Sequence, residues 1–169
     1  MTQRSAVLSE CGTYRYNLVR ALDRDEFKTN TLPGYIGWVL NNPSTADHEV
    51  DDATVRKCWR YTTLWGYGAM VFVNTNPYRS TDPKRAIRPP EQVLLANDSW
   101  LAYAMGQCPY MIAAWGDGAN PELARRAVEV MHPMGPLHAM GVTQSGNPRH
   151  PLYLPGNLQP SLWKPRGLN

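Results

Sequence analysis

Short apolar runs alternate along this chain with stretches whose apolar residues recur at helical spacing. Tyr35 to Leu40 (YIGWVL) is too short for a helix and rich in β-branched and aromatic residues, so it reads as a buried strand that stops at an Asn-Asn-Pro turn. Asp52 then caps a helix to about Trp65, in which Val55, Cys58, Trp59 and Thr62 share a face while Arg56, Lys57 and Arg60 point elsewhere; Gly66 ends it. Ala69 to Val73 is a second buried strand with Asn74 at its carboxyl end, followed by a long proline-rich loop, Thr75 to Pro90. Pro90 opens a helix that carries Val93, Leu94, Leu101 and Met105 inward. Tyr110 to Ala114 is a third strand, closed by Trp115-Gly116-Asp117-Gly118, and Asn120-Pro121-Glu122 starts a helix to about Met131. Leu137 to Val142 is a fourth strand, and Tyr14 to Leu22 is expected to add a fifth.

Strand and helix in alternation imply a three-layer α/β/α fold with a mostly parallel sheet of four or five strands. Residues 1–169 are expected to form a single domain, with a core from 14 to 155 and a proline-rich tail, 156–169, wrapped on the surface. The longest apolar runs are about eight residues, against roughly 20 for a bilayer span, and no basic segment with an apolar core opens the chain. A soluble, cytoplasmic protein is therefore expected. Cys11, Cys58 and Cys108 are odd in number and widely spaced, which reads as reduced thiols. His48, His132 and His138 form no metal-spaced pair, so neither a metal nor a cofactor is called for.

The net charge of +3 is too small to demand a polyanionic partner, and placement says more. Basic residues gather in the long loop (Arg79, Lys84, Arg85, Arg88), on the first helix, beside the late motif at Arg149 and in the tail at Lys164 and Arg166. A basic rim suits nucleic acid, and scattered solubilising charge explains the same residues equally well. Two polar, proline-stiffened loops follow buried strands: Leu40-Asn41-Asn42-Pro43-Ser44-Thr45 and Pro148-Arg149-His150-Pro151-Leu152-Tyr153-Leu154. In a parallel sheet both fall at the carboxyl edge, where α/β proteins bind ligands. Taken singly, Asn42 is a turn residue, Asn74 a strand-end residue, His150 a loop histidine and Asp51-Asp52 a helix cap. Trp115-Gly116 is a fold marker, and Trp59 is core or a stacking platform.

Four strand ends carry these signatures in order: Asn42-Pro43, Asn74, Trp115-Gly116 and His150-Pro151. In that order they resemble the uracil-DNA glycosylase superfamily. The whole chain, over residues 14 to 155, more closely resembles the bacterial and phage family known as domain of unknown function 1643. Its Asn-Pro-Ser-Thr-Ala-Asp, Asp-Asp-x-Thr and Arg-His-Pro-Leu-Tyr pattern stands here as Asn42 to Asp47, Asp51 to Thr54 and Arg149 to Tyr153. Within the superfamily the match points to the Brig-type anti-phage glycosylases, which remove hypermodified pyrimidines from viral DNA.

The resemblance implies a monofunctional glycosylase that hydrolyses the N-glycosidic bond of a C5-modified pyrimidine, such as glucosylated hydroxymethylcytosine, and leaves an abasic site. Asn42 would orient the water and His150 would donate to the departing base, with Asp47 or Asp51 as the carboxylate an amide cannot replace. Substrate contacts would come from Asn41, Pro43, Ser44, Thr45, Asn74, Asn76, Tyr78 and Arg79. Uracil-removing members carry a Tyr after their Asp-Pro turn that crowds the base C5 position, and here that position is Ser44, followed by Thr45. The target base must leave the stack, with Leu152, Tyr153 or Leu154 as the wedge and Arg149, Lys84 and Arg85 on phosphates. Double-stranded DNA is thus the expected partner. A lyase step is not expected, because neither principal motif holds a lysine. Two other functions fit the same residues: a hydrolase or base transferase on free nucleotides, and a noncatalytic module that binds modified DNA.

Overall fold

The structure, a computed structural model, describes residues 3–23, 34–44, 46–47, 49–82 and 86–165. In chain order the elements are β1 (Gln3–Leu8), β2 (Arg15–Ala21), β3 (Ile36–Leu40), α1 (Ala53–Leu64), β4 (Ala69–Asn74), α2 (Glu91–Gln107), β5 (Tyr110–Ala113), α3 (Pro121–Met131), β6 (Leu137–Ala139) and β7 (Ser161–Trp163), with short 3-10 turns at His132–Met134 and Pro151–Tyr153. The strands form one seven-stranded sheet in the order β1-β2-β4-β3-β5-β6-β7.

The middle of that sheet is parallel. β3 pairs with β4 in the register Ile36 to Met70 through Leu40 to Asn74, and with β5 from Ile36 to Tyr110 through Val39 to Ala113; β5 pairs with β6. Continuous apolar runs form these strands because both faces are covered: every residue of β3 and β4 is buried. Alternate side chains enter two clusters. Ile36, Trp38, Leu40, Met70, Phe72 and Ile112 pack with Val55, Cys58 and Tyr61 of α1. Val39, Val71, Val73, Met111 and Ala113 pack with Leu101 and Ala104 of α2 and with Ala124, Ala127 and Val128 of α3.

The expected mostly parallel sheet of four or five strands is corrected at both edges. β2 joins β4 antiparallel, β1 pairs antiparallel with β2, and β7 pairs antiparallel with β6, so the sheet is mixed. The run Tyr14 to Leu22 does hold a strand. β1 carries Gln3, Arg4 and Ser5 exposed along an outer edge, and β7 is only three residues long, so neither has the apolar run of a buried strand. The fourth expected strand is shorter than Leu137 to Val142, because Met140 leaves the ladder and Gly141 turns with φ +117°.

Helix ends follow their local chemistry. Asp52 accepts from the Val55 amide at 2.8 Å, Asn120 accepts from the Glu122 and Leu123 amides, and Gly66, at φ +87°, follows the last residues of α1. On α2 Leu94 and Leu101 face inward as expected, joined by Asn97 and Ala104, while Val93 and Met105 are half-buried; Asn97 is accommodated on this face by donating to the Asn74 carbonyl at 3.0 Å.

The tail is more than a surface wrap. Leu154 is buried and Leu158 packs on the α1-side cluster, the Tyr61 hydroxyl donates to the Pro155 carbonyl, and Trp65 Nε1 donates to the Leu158 carbonyl at 3.0 Å. Trp65 itself stacks on Trp38 and Tyr61 at centroid distances of 5.5 and 5.3 Å. This anchor holds the segment immediately after His150-Pro151. Replacing Leu154 with Ala is expected to lower the unfolding free energy by about 3 kcal/mol, read as a lower urea midpoint at unchanged slope.

Candidate functional site

The parallel strands deliver two loops to one rim, and further hydrogen bonds lock them there. Beyond the ladder, the Thr75 and Asn76 amides donate to the Leu40 and Asn41 carbonyls, both at 2.9 Å, and the Ala114 amide donates to the Val39 carbonyl at 2.8 Å. Asn41 Nδ2 reaches across to the Gly118 carbonyl at 3.2 Å. Gly116 donates its amide to the Pro148 carbonyl at 2.8 Å, and its φ of +73° favours glycine. A Cβ there would lie 3.3 Å from the His150 Cβ, so Gly116 is what lets the late loop come this close. Asp117 completes the joint by accepting from Thr143 Oγ1 at 2.7 Å and Asn147 Nδ2 at 2.8 Å; those bonds, the Asn147 one first, hold its carboxyl below the usual range.

A cleft of about 670 Å³ opens between these loops, and Asn42 and His150 both line it. Asn41, Ser44, Asp52, Arg15, Ser80, Trp115, Arg149, Leu152 and Tyr153 share its wall. Its size lies within the range of pockets that enclose small ligands, roughly 300–1,000 Å³. Asn42 Nδ2 donates to the Ser80 carbonyl at 2.9 Å and the Pro43 carbonyl at 3.1 Å. Its nitrogen is committed to the loop, and the group it has for a ligand is the acceptor Oδ1.

His150 is half-buried, and burial pushes its imidazole below the usual value of 6.5, with Asp52 acting in the opposite direction. Its Nδ1 accepts from the Leu152 amide at 3.4 Å, a bond at the long end of the range. A neutral ring that accepts at Nδ1 carries its proton on Nε2. Beside it Leu152 and Tyr153 are 39% and 78% exposed, and Arg149 is exposed as well. The late loop therefore offers one neutral donor, one cation and two apolar side chains along the same rim.

Several expected contacts lie elsewhere. Asp47 Oδ1 accepts from the Glu49 and Val50 amides at 2.9 and 3.0 Å, shaping a turn. Asp51 is paired with fully buried Arg20 at 2.7 Å and with Arg4 at 3.3 Å. Neither carboxylate lines the cleft; they shape the loop behind it. Asp52 does line it, and its cap role concealed that, since one carboxylate oxygen suffices for the Val55 amide. Asn76 donates to the Ile87 carbonyl and accepts from the Tyr78 amide, Tyr78 meets Tyr14 edge-on at 6.0 Å, and Arg79 donates to the Gly12 carbonyl. All three are tied to the hairpin and the long loop, outside the cleft. Pro43 is buried behind it, accepting from the Ser80 amide at 2.8 Å.

Asn74 is fully buried beside Leu40 and does not line the cleft; neither its Nδ2 nor its Oδ1 has a partner. Trp59 packs against the α1-side cluster. Of the expected basic rim, Arg149 stands at the cleft and Arg88 is occupied by Glu91 and Glu122. Thr45, Lys84, Arg85 and Arg166 lie outside the described residues. Sequence reading missed Arg15, a strand residue whose burial no periodicity announces, and Trp115, whose ring forms cleft wall while crossing Trp163 at 5.3 Å.

Among the described residues no group of three His, Cys, Asp or Glu side chains is placed to hold a metal ion, and no helix is long and apolar enough to cross a membrane. The chain belongs to the family described as Protein of unknown function (DUF1643), whose model matches residues 15–152. No curated protein and no solved structure matches it.

The His150 environment has a measurable sign. Because its pKa in the folded chain lies below 6.5, the unfolded chain takes up the proton first as pH falls, and stability declines from about pH 6.5 down to the folded midpoint. His138, also lowered chiefly by burial, adds in the same direction. NMR titration should give a His150 midpoint below 6.5 with the proton on Nε2; a midpoint at or above 6.5 would contradict this geometry.

Proposed function

We propose that this protein is a monofunctional DNA glycosylase that hydrolyses the N-glycosidic bond of a C5-modified pyrimidine, of the glucosylated hydroxymethylcytosine type, in double-stranded phage DNA. The observation that carries the reading is the convergence of Asn42, Asp52 and His150 on one cleft with Arg149, Leu152 and Tyr153 at its rim. On this reading the fold is a uracil-DNA glycosylase-like α/β/α arrangement, supported by α1 packing against one set of sheet side chains and α2 with α3 against the other.

The bond from C1′ to the base nitrogen breaks with its electron pair leaving on the base, while the sugar becomes cation-like. Neutral His150 donates from Nε2 to the base oxygen where negative charge gathers, a preorganised donor worth about 3 kcal/mol. Water adds to C1′, held by Asn42 Oδ1, and gives its proton to the Asp52 carboxylate. That proton then passes to solvent, and the released base is protonated in turn. The carboxylate role thus moves from Asp47 or Asp51 to Asp52, which alone of the three lines the cleft.

Ser44 on the cleft wall supports room at the base C5 position, since its side chain is far smaller than a tyrosine ring. Arg149 holds phosphate, and Leu152 or Tyr153 fills the space left by the extruded base. Abasic sites in viral DNA would then be the route by which a host resists phage, in the cytoplasm where that DNA is met.

The test is a panel of duplex oligonucleotides bearing uracil, thymine, hydroxymethylcytosine or its glucosylated form, with the matching free nucleotides alongside. Base release is read by mass spectrometry and abasic sites by alkaline cleavage. The glucosylated duplex is expected to be cut, with His150→Ala slower by about 100-fold. Asp52→Asn should lose activity while the chain stays folded, because Asn caps a helix as well as Asp does. No abasic site in any modified duplex, or full activity in both variants, would overturn the proposal.

A further inference from the structure

Arg15, at the start of β2, is a buried cation on the wall of the cleft. It is 3% exposed, yet it lines the cleft with Asn42, Ser44, Asp52 and Ser80. Its Nη1 donates to the Ala46 carbonyl, and its Nε is buried with no partner. Among the described residues no carboxylate lies within ion-pair distance of it, whereas Arg20 on the same strand is matched by Asp51. Asp52 and Asp47 act on it at longer range, and Arg79 and Arg20 oppose them. Burial lowers its pKa to about 10, which leaves it charged at neutral pH.

A buried guanidinium with one backbone acceptor and no close counter-charge is costly unless something anionic meets it. The bond to Ala46 explains why the side chain lies where it does, without matching its charge. We infer that Arg15 forms an anion subsite on the inner wall of the cleft, taking an oxyanion or an oxygen that gathers negative charge during reaction. The subsite is distinct from the exposed Arg149 at the rim, which suits backbone phosphate. On the glycosylase reading, on which this last assignment rests, its occupant is the electron-rich carbonyl edge of the departing pyrimidine. Arg15 and His150 would then stabilise the leaving group together, the one by full charge and the other by a neutral donor.

Two arms test this on the full chain. In the first, inorganic phosphate is titrated while arginine Nε signals are followed by NMR. The Arg15 signal should move saturably, and Arg15→Gln should abolish binding while Arg125→Gln, on an exposed helix face, does not. An unmoved Arg15 signal in the wild-type chain overturns the subsite whether or not any variant folds. In the second arm, single-turnover excision should slow by about 100-fold in Arg15→Gln and less in Arg15→Lys. The defect should shrink when the leaving pyrimidine is made more acidic by nitrogen in place of its C6–H, with the C5 substituent kept; a structural role would slow both substrates equally. Phosphate binding lost in Arg15→Gln, with no excision by the wild-type protein, leaves the subsite standing and refutes the glycosylase. Excision by the wild-type protein, matched by Arg15→Gln in both arms, refutes the subsite alone.

Discussion

Parallel pairing of β3 with both β4 and β5 is the constraint from which the site follows. Its hydrogen bonds continue past the strands, to the carbonyls of Leu40 and Asn41, so the Asn-Pro turn is held by backbone as well as by the amide side chains of Asn41 and Asn42. Each bond of this kind contributes only about 1 kcal/mol, but together they fix the register on which every cleft residue depends. The late loop is then hung on the β5 loop through Gly116 and Asp117. Segments more than a hundred residues apart meet because one ladder ends where another begins.

The loop between Asn42 and α1 is governed by buried charge. Arg20 binds the carbonyls of Asp47 and Val50 as well as the Asp51 carboxylate, and Arg15 binds the Ala46 carbonyl. Removing one partner of such a buried pair typically costs about 3–5 kcal/mol, so Asp51 is explained by stability. Asp52, one residue on, faces the cleft while capping α1. Adjacent aspartates thus divide into a scaffold carboxylate and a site carboxylate. The cleft gathers a neutral imidazole, an amide acceptor, a carboxylate and a buried cation, a set suited to a reaction in which charge separates.

The sequence disclosed the elements that rely on local pattern. The buried strands at Tyr35 to Leu40 and Ala69 to Val73, the Asp52 and Asn120 caps and the Pro90 helix start are all local signals, and each is found. The meeting of Asn42 and His150 was also legible, because parallel strands send their carboxyl ends to one side. Edge strands were not, since β1 is polar and β7 is three residues long. Nor could spacing separate Asp51 from Asp52, which differ only in which tertiary partner each meets. Tyr78 and Arg79 sit close in sequence to the β4 end but are turned toward the β1–β2 hairpin, and Asn76 toward Ile87 of the long loop, by tertiary contacts that no local pattern encodes.

The central claim is that the cleft receives an extruded, decorated pyrimidine, and crystallography of the Asp52→Asn chain with duplex DNA carrying one glucosylated hydroxymethylcytosine addresses it directly. The predicted result is a base turned out of the helix and seated between Asn42 and His150, its oxygen within hydrogen-bond distance of His150 Nε2 and its C5 substituent beside Ser44. A base still stacked in the duplex, or DNA bound away from this cleft, would contradict it.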